Sequence, residues 1–507
     1  MKKIVLLTLV TLGAWLVAPC AYAKKEKKVE VDSLGNKIKT GWNFGILPSV
    51  AYDADYGFQG GILTNIYFYG DGSQYPEYIH SIYFEGAYTT KQHGIFRLNY
   101  DSKYLIPRHR LTLDATYLPD AMCDFYGFNG YQTVFNTDWS FWKKKTEKMP
   151  NPEDYQSRVF YKYKRDLIRV AADIEGTIYK DLKWNAGLGV LGYLIDECDI
   201  AMLNGKKKGE PVVFDPAQER YAQKALDPSV KGLYQRYIDW GLISPDEQNG
   251  GWHPYLRAGL TFDTRDKRQG PNRGIYTDLF LTYSAAFNAA YGQQAAAGFN
   301  HLQFNFTFRH YVPCLVDKNG QSRITFAYRL GLQNNIAGNS PFYMDNYLNT
   351  LFIQRVYYEG LGGGNSVRGM MANRLAAKGF AFANVEFRFR VVNFDIGRQH
   401  FFVGLNPFFD LGVITQPYEL EQMDFTHSGL TLRERVEQDG CTYEQYFTTD
   451  PKDIYRPHMT AGIGLKVGMN ENFVLSADWG MPVNERYYMG QDNSKYTNFY
   501  VKMGYLF

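Results

Sequence analysis

The chain has 507 residues, 17% of them aromatic with 41 Tyr and 35 Phe, and a formal charge of only +3 at pH 7. So small an excess leaves no electrostatic footprint for nucleic acid, and no such partner is expected. After residue 23 there are four Cys, too few for a disulfide scaffold, and no run of about 18 apolar residues from which a helix could cross a bilayer.

The first residues read as an export signal. Lys2 and Lys3 precede the apolar run from Ile4 to Ala18, and Ala21-Tyr22-Ala23 is a small-x-small cleavage site. The expectation is a signal peptide over 1–23, cut after Ala23, on a bacterial export route. Pro19 sits where Gly, Ala or Ser precedes a lipid-modified Cys, which weighs against the lipoprotein alternative raised by Cys20. Residues 24–40 are a short basic periplasmic stub, too short for a folded domain.

From residue 41 the pattern has period two. In the first segment Trp42, Phe44, Ile46, Pro48, Val50 and Tyr52 alternate with Asn43, Gly45, Leu47, Ser49 and Ala51. Sixteen such segments follow one another, approximately 41–53, 56–70, 77–90, 93–106, 109–119, 157–178, 181–196, 253–265, 273–287, 298–313, 321–336, 375–391, 399–413, 455–468, 471–483 and 497–507. Splitting 157–178 in two would give an odd count and invert every later loop. The long connections 120–156, 197–252, 337–374 and 414–454 are all odd in order, and the short ones at 179–180, 266–272, 314–320, 392–398 and 469–470 are all even. That is the order of a sixteen-stranded antiparallel transmembrane β-barrel over 41–507, with long extracellular loops and short periplasmic turns. The Tyr and Phe excess then supplies aromatic girdles at the two lipid–water interfaces.

The outer loops carry both signs of charge with aromatics between them. Over 197–252 these are Lys206, Lys207, Lys208, Asp215, Glu219, Asp239 and Trp240; over 414–454 they include Glu419, Glu421, Glu434 and Glu437. Such composition suits ordered loops that cap the mouth and limit ion flow. Cys123, Cys198 and Cys441 fall in these loops, where one oxidised pair is an open alternative. The last segment alternates through Phe499, Val501, Met503 and Tyr505 to Phe507, a strand with one apolar face. Tyr505 and Phe507 are read as a C-terminal assembly signal.

The third long loop holds Gly362-Gly363-Gly364-Asn365-Ser366-Val367-Arg368-Gly369-Met370. Its glycines allow sharp turns and close backbone approach, and Arg368 offers a fork of donors to a carboxylate. On composition alone this is a flexible surface loop with a solvated Arg.

Ser366-Val367-Arg368-Gly369-Met370 resembles the Val-Arg-Gly-aromatic loop motif of the BamA/TamA family of outer-membrane barrels, the bacterial surface antigens. Phe262-Asp263-Thr264-Arg265-Asp266 with Pro271-Asn272-Arg273-Gly274 resembles that family's Asp-x-Arg-Asp…Pro-x-x-Gly turn. Val385-Glu386-Phe387, Phe408-Phe409-Asp410-Leu411-Gly412, Gly462-Ile463-Gly464-Leu465 and Phe507 are similar to its later strands, so the likeness runs over the whole of 41–507. It implies that the loop folds back into the lumen, with Arg368 held by Glu386 and Asp410 on the inner wall. A carboxylate facing lipid would cost several kcal/mol. An inward position paired with Arg368 removes that cost, although the two could also simply line a polar lumen. Met370 departs from the motif's aromatic, and the family's periplasmic POTRA repeats have no room in 24–40.

The resemblance implies insertion or translocation of outer-membrane proteins at a weak seam between the first and last strands. Pro48 and Gly45 near one edge, and Gly504 near the other, fit an underbonded seam. The implied partners are outer-membrane lipids, unfolded outer-membrane proteins, and accessory lipoproteins or periplasmic subunits. A transport pore or passive channel, and a structural surface-antigen subunit, remain open alternatives. No enzyme motif gathers. The nine His are scattered without metal-ligand spacing, so no enzyme activity, metal or cofactor is expected.

Overall fold

The structure, a computed structural model, describes residues 38–53, 57–75, 77–140, 156–203, 230–267, 270–285, 299–318, 320–345, 360–396, 399–469, 473–483, 488–489 and 497–507. The signal peptide, most of the basic stub, and Lys206, Lys207, Lys208, Asp215 and Glu219 lie outside these residues. Among them, sixteen antiparallel strands form a closed barrel. They are β1 Trp42–Asp53, β2 Gly57–Phe68, β3 His80–Thr89, β4 Gly94–Ile106, β5 His109–Asp124, β6 Lys162–Tyr179, β7 Leu182–Asp196, β8 Gly250–Asp263, β9 Gly274–Ser284, β10 His301–Val316, β11 Ser322–Gly338, β12 Gly379–Ile396, β13 Gln399–Gln416, β14 His458–Met469, β15 Phe473–Pro482 and β16 Asn498–Met503.

The alternation works as lipid and lumen require. Trp42, Phe44, Ile46, Val50 and Tyr52 point outward and exposed, while Ser49 is buried on the inner face. Inward charges are paired along the wall, as Arg97 and Arg169 are with Asp114 at 2.8 and 3.4 Å and Arg257 is with Asp173. β12 and β13 each run 18 residues. At about 3.3 Å per residue they overrun the ~30 Å hydrocarbon and project beyond it.

Several strand boundaries differ from the sequence reading, and at β6, β12 and β16 the reason is an apolar stretch that packs away from the wall. β5 continues to Asp124, which places Cys123 in a strand, fully buried. β6 starts at Lys162, and Val159, Phe160 and Tyr161 join the cap instead. β12 starts at Gly379, because Leu375, Ala376 and Ala377 are buried in the motif loop, where Leu375 bridges Leu361. β16 ends at Met503: Gly504 takes φ +83°, and Leu506 and Phe507 turn inward against Tyr311 and Ala327. The alternation read through Tyr505 to Phe507 therefore does not continue as a lipid-facing strand.

The largest apolar core joins the cap to the inner face of the wall, where Leu118, Tyr163, Leu167, Tyr193 and Tyr255 belong to it. Phe125, Phe128, Tyr234, Tyr237, Trp240, Phe342, Tyr418 and Phe447 from separate outer connections pack together with Tyr163 of β6. Phe125 meets Phe128, Tyr163, Tyr234 and Tyr237 edge-on at 5.2–5.9 Å between centroids, an arrangement that adds to area burial. A short helix, Leu432–Gln438, is held by a capping box between Thr431 and Glu434. Cys123, Cys198, Cys314 and Cys441 are all unpaired thiols.

Two buried cap carboxyls titrate near neutral pH. Glu247 accepts from the Ser244 and Phe342 main-chain N–H groups at 3.0 and 2.9 Å, and burial pushes it up to about 7. Asp345 accepts from Ser340 at 2.5 Å and Tyr418 at 2.6 Å, and burial likewise pushes it up to about 7. A carboxyl raised above its unfolded value binds its proton more tightly when folded. The stability these two carboxyls contribute is therefore full below the ordinary carboxyl range and is lost as pH rises through about 7. Hydrogen-exchange protection of residues 230–243 and 418–447, corrected for intrinsic rates, is expected to fall between about pH 5 and about pH 8. Glu247→Gln should flatten that slope, and an unchanged slope in the variant would assign it elsewhere.

Candidate functional site

The motif loop descends from the cap into the lumen. Arg374 in this loop donates to the main-chain oxygens of Gly130 and Thr133 at 2.7 and 3.0 Å, and the Asn129 N–H donates to the Ala376 oxygen at 2.7 Å. The loop thus hangs from the cap by buried polar bonds. Its glycines are held individually. Ser366 Oγ accepts from the Gly362 N–H at 2.9 Å and donates to the Gly362 oxygen at 2.6 Å, the Gly363 N–H reaches the Met370 oxygen at 2.8 Å, and Lys502 donates to the Gly364 oxygen. Val367 and Met370 pack with Leu361, Phe380, Phe382 and Ile414, so Met370 fills an apolar site where the motif usually carries an aromatic ring.

Arg368 is completely buried. Its Nε and Nη2 donate to the two oxygens of Asp410 at 2.9 and 3.0 Å, its main-chain N–H also reaches Asp410 at 3.0 Å, and Nη1 donates to Glu386 at 3.0 Å. The guanidinium lies 3.7 Å over the Phe408 ring. This bidentate, stacked geometry is specific to Arg and unavailable to Lys. Glu386 stands on β12 and Asp410 on β13, both inward because Phe387 and Phe409 take the outward positions. The structure thereby brings together Arg368, Glu386 and Asp410.

The sequence reading missed the charges that complete the cluster. Arg388 donates to the second oxygen of Glu386 at 2.7 Å, and Lys466 donates to Asp478 at 2.5 Å. Three cations therefore meet three carboxylates, as a site closed to water requires. Period two from Glu386 points Arg388 to the same face, so that residue was legible. Lys466 and Asp478 sit on β14 and β15 with nothing in the motif to flag them.

Gly369 closes the approach to the last strands. It has φ +90°, and a Cβ there would come within 2.7 Å of the Gly480 backbone on β15, so no larger residue fits. Its N–H meets Tyr500 Oη on β16 at 3.3 Å. The clamp accordingly sits beside the β15–β16 end of the barrel. There the closed wall is thinly paired: among the described residues β1 meets β16 with Tyr52 opposite Val501 and Asp53 opposite Tyr500, whereas β1 pairs with β2 from Trp42 to Asp53.

The Omp85 superfamily domain matches residues 208–507. The chain belongs to the Omp85 superfamily. Barrels of this superfamily are outer-membrane proteins. Among solved structures, BamA from Haemophilus ducreyi lacking POTRA domains 1–3 is 13% identical with a TM-score of 0.47, covering 98% of this chain and 78% of that one. CdiB from Escherichia coli is 11% identical with a TM-score of 0.47, over 90% of this chain and 62% of that one. CdiB from Acinetobacter baumannii is 11% identical with a TM-score of 0.43, over 92% and 60%. The chain thus spans about three fifths of the CdiB structures. No curated protein matches.

Proposed function

We propose that this Omp85 barrel inserts or translocates outer-membrane proteins at the seam between β1 and β16. The observation that supports this reading is the edge of β1. Among the described residues, Trp42 to Ala51 have no ladder partner on β16, and Leu47, which alternation points inward, remains 47% exposed. An unpaired edge is a template for β-augmentation by an incoming strand. The clients would be unfolded outer-membrane proteins, delivered by accessory lipoproteins or periplasmic subunits, with bilayer lipid at the open edge. Arg368, Glu386 and Asp410 would hold the motif loop as a fixed strut beside that edge. The cap and the loop in the lumen weigh against a passive channel.

A covalent lock tests the reading. Tyr52→Cys with Val501→Cys places two thiols directly opposite across the seam, where antiparallel Cβ atoms approach closely enough to bridge. In cells depleted of the native protein, the oxidised variant is expected to leave outer-membrane proteins unassembled by proteomics, and reduction to restore them. Full assembly with a quantitatively oxidised lock would reject seam insertion and favour a structural or surface-antigen role.

A further inference from the structure

Residues 504–507 leave the wall at the point where the seam opens. The observed register, continued, would set Gly504 opposite Ser49, Tyr505 opposite Pro48, Leu506 opposite Leu47 and Phe507 opposite Ile46. Pro48 has no N–H and so weakens such a ladder by one bond without preventing it, and Gly504 adopts a left-handed φ of +83° that turns the chain inward. The Gly504 N–H keeps its bond to the Val474 oxygen on β15, at 2.6 Å. The segment therefore hinges at Gly504 and stays attached to β15.

Inside the lumen Arg388 receives it, with Arg329 also 5.3 Å over the Phe507 ring and Ser476 donating to the Gly504 oxygen. Arg388 Nη2 donates to the Phe507 main-chain oxygen at 2.7 Å, and Nη1 donates to the Pro271 oxygen at 3.1 Å, in the turn between β8 and β9. The guanidinium lies 4.3 Å from the Tyr505 ring centroid and 5.3 Å from that of Phe507, with the Tyr311 ring at 5.2 Å. Leu506 and Phe507 are buried against Tyr311 and Ala327. The remaining donor of Arg388, Nε, binds the Glu386 carboxylate whose other oxygen holds Arg368. A single carboxylate thus joins the motif-loop clamp to the grip on the last residues.

We propose that Arg388 is a positioning residue that holds residues 504–507 off the edge of β1, and so keeps the seam open. Released, these residues extend β16 alongside Leu47 and Ile46 and zip the seam shut. The inference rests on the reading of the seam as the working edge, but its test reads the seam directly.

Two cysteine pairs report the two positions of the segment. Leu506→Cys with Ala327→Cys reports the docked state, and Leu506→Cys with Leu47→Cys reports the zipped one. The linked peptides are identified by mass spectrometry, which separates them from the native thiols. With Arg388 present, the 327–506 link should form readily and the 47–506 link barely. Arg388→Gln should raise the 47–506 link several-fold and lower the other, while Arg388→Lys, which keeps a cation for Glu386, should restore part of the docked link. If Arg388→Gln fails to fold, Tyr311→Ala loosens the same berth with the ion pair intact and should shift the links the same way. Unchanged yields in every folded variant, or a dominant 47–506 link with Arg388 in place, would overturn the grip. Normal link shifts with no loss of client assembly would instead count against insertion at the seam.

Discussion

Arg368→Ala is expected to destabilise the folded barrel by roughly 3–5 kcal/mol, the cost of removing one partner from a buried ion network. The variant strips Asp410 of its two guanidinium donors, leaving it the main-chain N–H of residue 368, and leaves Glu386 with the Arg388 ion pair. Neither carboxylate is accessible to water. The measurement is the midpoint of denaturant or heat unfolding, read by heat-modifiable gel mobility. Two comparisons give the value its meaning. Arg368→Lys should recover only part of the loss, because an ammonium cannot span Asp410 bidentately or stack on Phe408. Arg368→Met with Asp410→Asn should lose much less than Arg368→Ala, because that pair of charges leaves together while Glu386 keeps Arg388. A midpoint for Arg368→Ala equal to that of the parent would show that the loop is held by its apolar contacts and its cap bonds alone.

The second large effect is on ion flow. In a planar bilayer the intact barrel is expected to conduct little, because the cap closes the outer mouth and the motif loop occupies the lumen. Deleting residues 200–248 should raise conductance far more than Arg368→Ala does. The deletion removes Leu233, Tyr234, Tyr237, Trp240, Leu242 and Ile243 from the aromatic core, along with the Trp240 indole and Arg236 bonds to Asp439 at 3.2 and 2.7 Å. Each large buried ring alone is worth about 3–5 kcal/mol on truncation, so what remains of the cap should not close. Arg368→Ala, by contrast, leaves Arg374 and Asn129 bridging loop and cap. An intact protein that conducts like an open porin would defeat the cap and revive the channel reading.

Period two alone exposed the wall, because lipid and lumen impose opposite demands on successive residues, and loop lengths fixed the strand count and the sidedness. The Arg368 pairing was legible for a different reason. Its motif is local, and the inward direction of Glu386 and Asp410 follows from their aromatic neighbours. Arg388 stood in the same alternation but drew no notice, since nothing local says what an inward Arg will meet. Its partners, Pro271 and Phe507, are 117 and 119 residues away in sequence. The misplaced starts of β6 and β12 share one cause: Phe160 and Leu375 are as apolar as strand residues, and only the three-dimensional packing assigns them to the cap and the loop. At the other end, the alternation through Phe507 was real as a pattern, yet Gly504 and Arg388 redirect it.

The placement of the dry core imposes an order on biogenesis. Asn129 bonds the Tyr418 main chain across 289 residues of sequence, and Arg374 reaches Gly130 across 244. Contacts of such separation form late, after slow closure of long loops. These partners also begin on the wrong side of the bilayer and meet only after their connections have crossed it. The wall must therefore be threaded first, and the outer aromatic core then sets above it as a latch. Once set, it would have to come apart before the strands could slide back, so the outer core adds a barrier against reversal of the earlier crossings.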